Sequence, residues 1–529
     1  MRSTISLSFL LYFLLPVNIG SSQSLQRLEV SNKRKKVTGF LAIWLLILCY
    51  CTPCLGEGIK PLRTVADLNI GESIKLKLTD GDSVEVTLLD TEAVFDKLRN
   101  AVRSARAKVS VNGHEVWLDV ANYNLPVTVG NVQIDCPVIK AYSAKSSHLR
   151  WGLKKEARLR VWPAGSPYIT PGTFVYPIKQ RLFASDTQMG NEPAYVDGTE
   201  DPVNPDYSSV YYHSALDFGG SEGKEEIVSS VDGLVITSGV YTIDGARDLP
   251  DKGSYDAVYV LDKRGWYHGF FHLFSIDSAI KPGVNVKMGQ KIGTIGKEGE
   301  SGGWVHLHYV IKCRQPSGEW GDEYAYPFIW EAYRNQYNPA IIAVARPHQL
   351  VPVGKVVVLD GRKSKSFEGE ITLYEWLFTD GSKASGALQE RNYEKPGTYS
   401  EVLKAVDSKG NIDYDYAVIQ VIDPNDPSAL PPTIHASYYP TTGIRAGDPV
   451  SFVVRTFRIN DEGSEKWNFG DDSPVVEVKS ELPENSVKGK YAETIHRFEK
   501  PGHYIVRVER TGNNGYKAIA SLHVQVFSK

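Results

Sequence analysis

Methionine is nearly absent from this 529-residue chain, with three in all. Cysteine is scarce and badly placed for cross-linking: of five, Cys49, Cys51 and Cys54 fall near the start and only Cys136 and Cys313 follow. Two cysteines so far apart do not make a disulfide framework, and they offer a metal no thiolate cluster. Buried free thiols are the expectation. An excess of charge of one sign is missing too, since 59 Lys and Arg stand against 62 Asp and Glu, a formal net charge of −3. That excludes a bulk electrostatic case for binding nucleic acid. No HExxH occurs, which removes the helix-borne zinc site with a glutamate base. Neither apolar run near the N-terminus clearly reaches the ~20 residues that a membrane span needs.

What is plentiful points to β structure. Tyr (29), Trp (10), Gly (46) and Pro (29) accompany many Val and Thr runs between turn residues. The length suits three or four domains. Residues 1–56 read as a leader with signal or anchor segments. A first apolar run covers Ile5 to Leu15. A second, Gly39 to Cys49, follows the basic patch Lys33-Arg34-Lys35-Lys36 and precedes Cys54-Leu55-Gly56, the grammar of export. A start near Val30 and an uncleaved double anchor are both consistent with it. Either implies an exported protein, secreted, periplasmic or held at the cell surface, touching a membrane only through this segment if it stays uncleaved.

Residues 57–170 read as an N-terminal β-rich domain. Ile74 to Leu78 and Ser83 to Leu89 alternate, and Asn112-Gly113 marks a hairpin. Glu92 to Arg106 is expected to hold one short helix. His114 and His148 read as surface residues. Residues 183–212 are polar, rich in Asp, Asn, Pro and Gly, and aperiodic; a loop of that length is expected to wall a substrate groove.

The chemistry concentrates in His213, Asp217, His272, His306 and His308, on short β-like segments punctuated by glycine. His306 and His308 are two apart, so on a strand both imidazoles leave one face. His213 and Asp217 are four apart and can share a face. Imidazole and carboxylate around an open position is catalytic zinc chemistry. His268 reads as a supporting or surface histidine, Glu298 and Glu300 as a solvated loop, and Tyr211 and Tyr212 as groove lining or packing.

The motifs HSALD, FFHL and HLHYVI, with the glycine pattern VDGLV and VKMGQKIGTIG, resemble the lysostaphin/LytM-type zinc endopeptidases over roughly residues 175 to 335. The resemblance implies one zinc ion held by His213, Asp217 and His308. It makes His272 and His306 the catalytic pair that orients water and stabilises the tetrahedral intermediate. Ser214 and Leu216 vary the first motif, and Tyr241 to Tyr255 is longer than usual. The domain is assigned to 171–340.

The C-terminal third repeats. Tyr374-Glu375-Trp376-Leu377-Phe378-Thr379-Asp380 and Tyr393 to Tyr399 match Trp467-Asn468-Phe469-Gly470-Asp471 and Phe498 to Tyr504. These copies, 346–424 and 431–529, look like PKD domains and imply β-sandwiches serving as spacers or as binders of a surface glycan or protein. A stiff proline-containing linker, Asp423 to Pro432, is expected to separate them.

The fold class is therefore mainly β and multidomain, an antiparallel peptidase core with sandwich modules. The function implied by the resemblance is an exported zinc metalloendopeptidase hydrolysing peptide bonds, in peptidoglycan cross-links, by a zinc-activated water. The competing reading is a non-catalytic surface-binding or adhesion protein with a structural or vestigial metal site.

Overall fold

The computed structural model describes residues 58–95, 101–143, 150–190, 195–197, 210–426, 430–459, 461–482 and 488–529. The leader and His148 lie outside the described residues. No helix among the described residues is long and apolar enough to cross a membrane. Strands dominate, and the chain is mainly β with antiparallel sheets throughout.

The N-terminal part holds two four-stranded sheets. One is a meander through Ser73–Lys77, Ser83–Phe95, Val102–Val111 and His114–Asp119. No helix forms among the described residues of Glu92 to Arg106. Asp90 to Val94 pairs with Lys108 to Ser104, and Glu92 meets Arg106 across the strands at 2.7 Å. Alternation of Val and Ala with polar residues outweighed helix propensity here, because a facing strand was available to pair. The second sheet carries Thr64–Leu68, Ala157–Pro163, Val132–Ile139 and Val127–Val129 in that order.

The central sheet runs Tyr241–Thr242, Gly233–Ser238, Val258–Asp262, Tyr267–Phe271, His306–Arg314, Leu216–Gly219, Gln188–Gly190. Trp320–Glu323 adds to His306–Arg314. A three-stranded sheet of Glu226–Val228, Lys291–Ile295 and Leu273–Ile276 lies beside it. The one long helix among the described residues, Tyr326–Tyr337, has Pro327 in its first turn and ends on Asn338 in the left-handed region. One apolar core extends without a break from Ala66 in the N-terminal part to Val344 beyond that helix. Cys136 and Cys313 are buried in it as free thiols.

Buried charge pins the two parts together. The Arg160 guanidinium donates to both Asp135 oxygens, at 2.9 and 2.5 Å, and to Glu323 Oε1 at 2.6 Å. Arg63 donates to both Glu323 oxygens at 2.7 Å. Burial would push the Glu323 carboxyl up, but Arg63 and Arg160 hold it far below the carboxylate range. Glu323 lies opposite Ile311 on the strand that carries His306 and His308, so N-terminal arginines fix the far end of that strand.

The described residues of the stretch 183–212 do not form a free loop. Gln188–Gly190 pairs with Leu216–Gly219, and Tyr195–Asp197 pairs with Val210–Tyr212. Ser185 bridges to Leu522, and the His523 amide donates to the Ala184 carbonyl at 2.9 Å. Where this stretch is described, its backbone is satisfied by pairing that sequence spacing does not reveal.

The two C-terminal copies each form a two-sheet sandwich with its own core around Trp376 and Trp467. They are not held apart. Gly397 and Thr398 pair in parallel with Lys517 and Ala518, so one sheet runs through both modules.

Breaking a buried pair by removing one partner typically costs about 3–5 kcal/mol, because the other charge is left in the interior. Arg160→Ala is therefore expected to lower the unfolding free energy of the full chain, read from urea denaturation, by an amount of that size. Lys154→Ala, whose partner Glu319 is exposed, is expected to cost under about 1 kcal/mol. Equal effects of the two substitutions would contradict the account of the junction.

Candidate active site

His308 is flanked on both sides by register. Asp217 lies directly opposite it on Leu216–Gly219, and Phe271 directly opposite on Tyr267–Phe271. Facing residues in such a pair have Cβ atoms about 4.5–5.5 Å apart, so Asp217 and His308 meet without any loop rearrangement. His306, two residues earlier, leaves the same face. His213 precedes the Leu216–Gly219 strand, and the turn through Ser214 and Ala215 brings it back over Asp217.

Three donor atoms converge. His213 Nε2 and His308 Nδ1 are 3.0 Å apart, His308 Nδ1 and Asp217 Oδ1 3.0 Å, and His213 Nε2 and Asp217 Oδ1 3.3 Å. Zinc ligands at roughly 2.0–2.1 Å in a tetrahedron would have edges of about 3.3 Å. The triangle fits a small divalent cation with a fourth position open. Its electrostatics suit the same role. Burial would raise the Asp217 carboxyl, but His213, His306 and His308 hold it well below its usual range. Burial pushes the His308 imidazole down to about 4, against the pull of Asp217, and pushes His306 well below its usual value. An anionic carboxylate at Asp217 and a neutral imidazole at His308 are ligand forms.

His272 and His306 lie beside this triangle, with ring centroids 4.6 Å apart. The ring nitrogens of His272, His306 and His308 lie within 4.8 Å of one another. His306 Nδ1 is 3.1 Å from the Trp304 carbonyl, and His272 Nδ1 is 2.8 Å from the Glu298 carbonyl. A carbonyl only accepts, so each Nδ1 carries the hydrogen and each Nε2 presents its lone pair. His306 Nε2 faces Asp217 Oδ1 at 3.8 Å. The Trp304 indole stacks on the His306 ring at 3.7 Å and 13°.

His272 sits at φ +64°, in the left-handed region, between the strands Tyr267–Phe271 and Leu273–Ile276. Such a conformation costs a non-glycine residue on the order of 1–3 kcal/mol and must be imposed by its surroundings. Asp256 imposes it: its Oδ2 accepts the His272 amide at 3.1 Å and lies 3.2 Å from Nδ1. Burial opposes ionisation of Asp256, but hydrogen bonds from His272 and Ser254 hold its carboxyl at about 2. Gly299 packs against that carboxylate so closely that a Cβ would lie 2.2 Å from Oδ2.

All five residues singled out from the sequence are brought together. Others are not. His268 is fully buried on the opposite face of its strand, bonded to Tyr309 Oη and Asp262 Oδ2 in the core, neither at the surface nor beside the site. Tyr212 is core packing, its hydroxyl accepting the Val102 amide at 2.7 Å. Glu298 acts through its backbone carbonyl rather than as a solvated side chain. His114 is exposed. Sequence reasoning missed Asp256, for which spacing gives no signal, and Trp304, whose position two residues before His306 was a usable one.

The turn after Asp217 depends on a buried acid. Glu225 is 1% exposed; its Oε2 accepts the Ser221 amide at 2.8 Å, and its Oε1 is buried without a hydrogen-bond partner. Burial pushes its carboxyl up to about 8, only partly offset by the Ser221 bond. The folded-state pKa is raised, so the stability from protonated Glu225 is fully present below about pH 4.5 and is lost as pH rises through about 8. Glu225→Gln is expected to abolish that component, on the order of a few kcal/mol, so that the variant surpasses wild type in thermal stability at pH 9 but not at pH 4.5. Parallel stability–pH curves for the two proteins would contradict this.

A family model described as Peptidase family M23 matches residues 211–318, and one described as PKD domain matches residues 338–421. The L-Ala–D-Glu endopeptidase of Bacillus subtilis is 30% identical over 146 residues, which are 26% of this chain and 44% of that protein. Collagenase ColA of Clostridium perfringens is 25% identical over 202 residues, 36% of this chain and 17% of that protein. The chain thus spans less than half the length of either relative. Among solved structures, a variant of the catalytic domain of the M23 protein EnpA from Enterococcus faecalis is similar to 30% of this chain over 93% of its own, at 21% identity and a TM-score of 0.17. Residues 211–318 of the chain form a Peptidase M23 domain, and a PKD domain follows it at 338–421.

Proposed function

We propose that the chain is an exported zinc endopeptidase that cuts peptide bonds in peptidoglycan cross-links. The observation that carries the reading is the triangle of His213 Nε2, Asp217 Oδ1 and His308 Nδ1, with edges of 3.0–3.3 Å and an open side toward two further imidazoles. These three residues would hold the metal. When bound, zinc supplies Lewis acidity, which polarises a carbonyl and lowers the pKa of water.

The chain's own residues do the rest. His272 and His306 present Nε2 lone pairs that take a proton from the attacking water and return it to the leaving amine. Once protonated, either ring donates a hydrogen bond to the charge that develops on the scissile carbonyl oxygen. Asp256 and the Glu298 carbonyl keep the His272 ring in one tautomer and one orientation. The indole of Trp304 shields one face of the His306 ring from water.

Peptidoglycan is favoured as substrate because the motifs resemble those of LytM-type enzymes and because the Bacillus subtilis relative is an L-Ala–D-Glu endopeptidase. Export rests on the leader-like grammar of residues 1–56. The PKD-like modules would meet a glycan or protein surface.

His308→Ala is expected to abolish stoichiometric zinc and with it clearing of a peptidoglycan suspension. His306→Ala is expected to keep zinc yet lower kcat by about 10²- to 10⁴-fold, the usual worth of a positioned acid–base group. Wild type that binds no zinc and clears no peptidoglycan would overturn the reading. His306→Ala that loses metal as His308→Ala does would overturn the division of roles.

A further inference from the structure

The segment from Glu298 to Val305 delivers both members of the histidine pair. It supplies the carbonyl that orients His272, then Trp304, then His306. Its own means of holding a shape are weak. Gly299, Gly302 and Gly303 all sit at positive φ, and a glycine-rich turn loses more backbone entropy on ordering than any other. Yet this turn is fixed from outside the peptidase domain, by residues of the C-terminal module.

Four side chains do it. Arg455, itself fully buried, donates from Nη1 to the Gly303 carbonyl at 3.1 Å. The Val305 amide donates to Tyr491 Oη at 3.1 Å. Lys488 donates to Tyr255 Oη at 2.8 Å and to Glu298 Oε2 at 3.2 Å, while Tyr255 Oη accepts the Gly299 amide at 2.8 Å. The His435 ring stands edge-on to Trp304 at 4.6 Å and 81°, and packs on Phe457 at 4.7 Å. Trp304 is thus held between His306 and His435. On the same strand as His435, Ser437 meets Ser221, and the Ala436 carbonyl accepts from Thr187.

We propose that the C-terminal module is a working part of the active site: His435 and Lys488 are positioning residues that hold His306 through Trp304, and His272 through Glu298. This rests on the reading of His272 and His306 as the catalytic pair. It gives the second sandwich a task different from tethering or spacing. His435 acts as a ring rather than as a base, since its Nδ1 is buried without a hydrogen-bond partner and its contacts are aromatic.

The test uses the full chain loaded with zinc, fluorescently labelled peptidoglycan as the probe, and the variants Lys488→Ala, Lys488→Arg, His435→Ala and His435→Phe. Three quantities are read: kcat and KM, bound zinc, and hydrogen–deuterium exchange of residues 297–305. The two alanine variants are expected to lose about three- to tenfold in kcat, with KM and zinc unchanged. Their 297–305 amides are expected to exchange faster. Lys488→Arg, which keeps two donors, and His435→Phe, which keeps the ring, are expected to restore both readouts. Alanine variants with wild-type kcat and wild-type exchange overturn the proposal. So does a loss of kcat that comes only with loss of zinc, since that marks a general structural defect. If wild type fails to cut peptidoglycan while exchange still rises in the alanine variants alone, the clamp stands and the proposed function falls.

Discussion

The antiparallel register that sets Asp217 opposite His308 is the constraint on which the site depends. Strand side chains alternate with a period of two, so a slip of one residue would send His306 and His308 to the opposite face and leave Asp217 facing Leu307 or Tyr309. Correct register does three things at once. It makes the donor triangle, it places Phe271 beside His308, and it lets the chain turn at His272 directly into the site. The surrounding structure reads as protection of that register. N-terminal Arg63 and Arg160 hold Glu323 at one end of the histidine strand, and Gln188–Gly190 closes the outer side of the aspartate strand.

The energetics follow the same division. Apolar burial in one core from Ala66 to Val344 supplies most of the stabilisation, at roughly 25 cal/mol per Å² removed from water. The site itself works against folding. It keeps His272 in a left-handed conformation and crowds neutral imidazoles around a carboxylate in a poorly solvated place. A bound cation would relieve the crowding, so binding and folding are linked. The turn before His306 carries three glycines at positive φ, and it is where the C-terminal module adds its contacts.

How much of this was legible in the sequence depended on the range of the interaction involved. His306-Leu307-His308 carried its own geometry, because a two-residue spacing has one meaning on a strand. The paired W-x-F and P-G-x-Y motifs likewise announced two sandwiches, with Trp376 and Trp467 at their centres. Local preference misled where a distant partner decided the outcome. The described residues of Glu92 to Arg106 pair across strands in place of the expected helix, and within 183–212 Gln188–Gly190 pairs with Leu216–Gly219 while Ser185 bridges to Leu522. Asp256, Lys488 and His435 act on the site across the fold, and no spacing in the chain links them to it.

The central claim is that His213, Asp217 and His308 hold one metal ion and leave a position open. X-ray absorption at the zinc edge, on the full chain with its metal content measured, tests it most directly. The expected result is one zinc per chain, with two imidazole nitrogens and one carboxylate oxygen at about 2.0–2.2 Å and a non-protein oxygen completing the shell. A sulfur neighbour, a closed shell of four protein ligands, or zinc well below one per chain would contradict it.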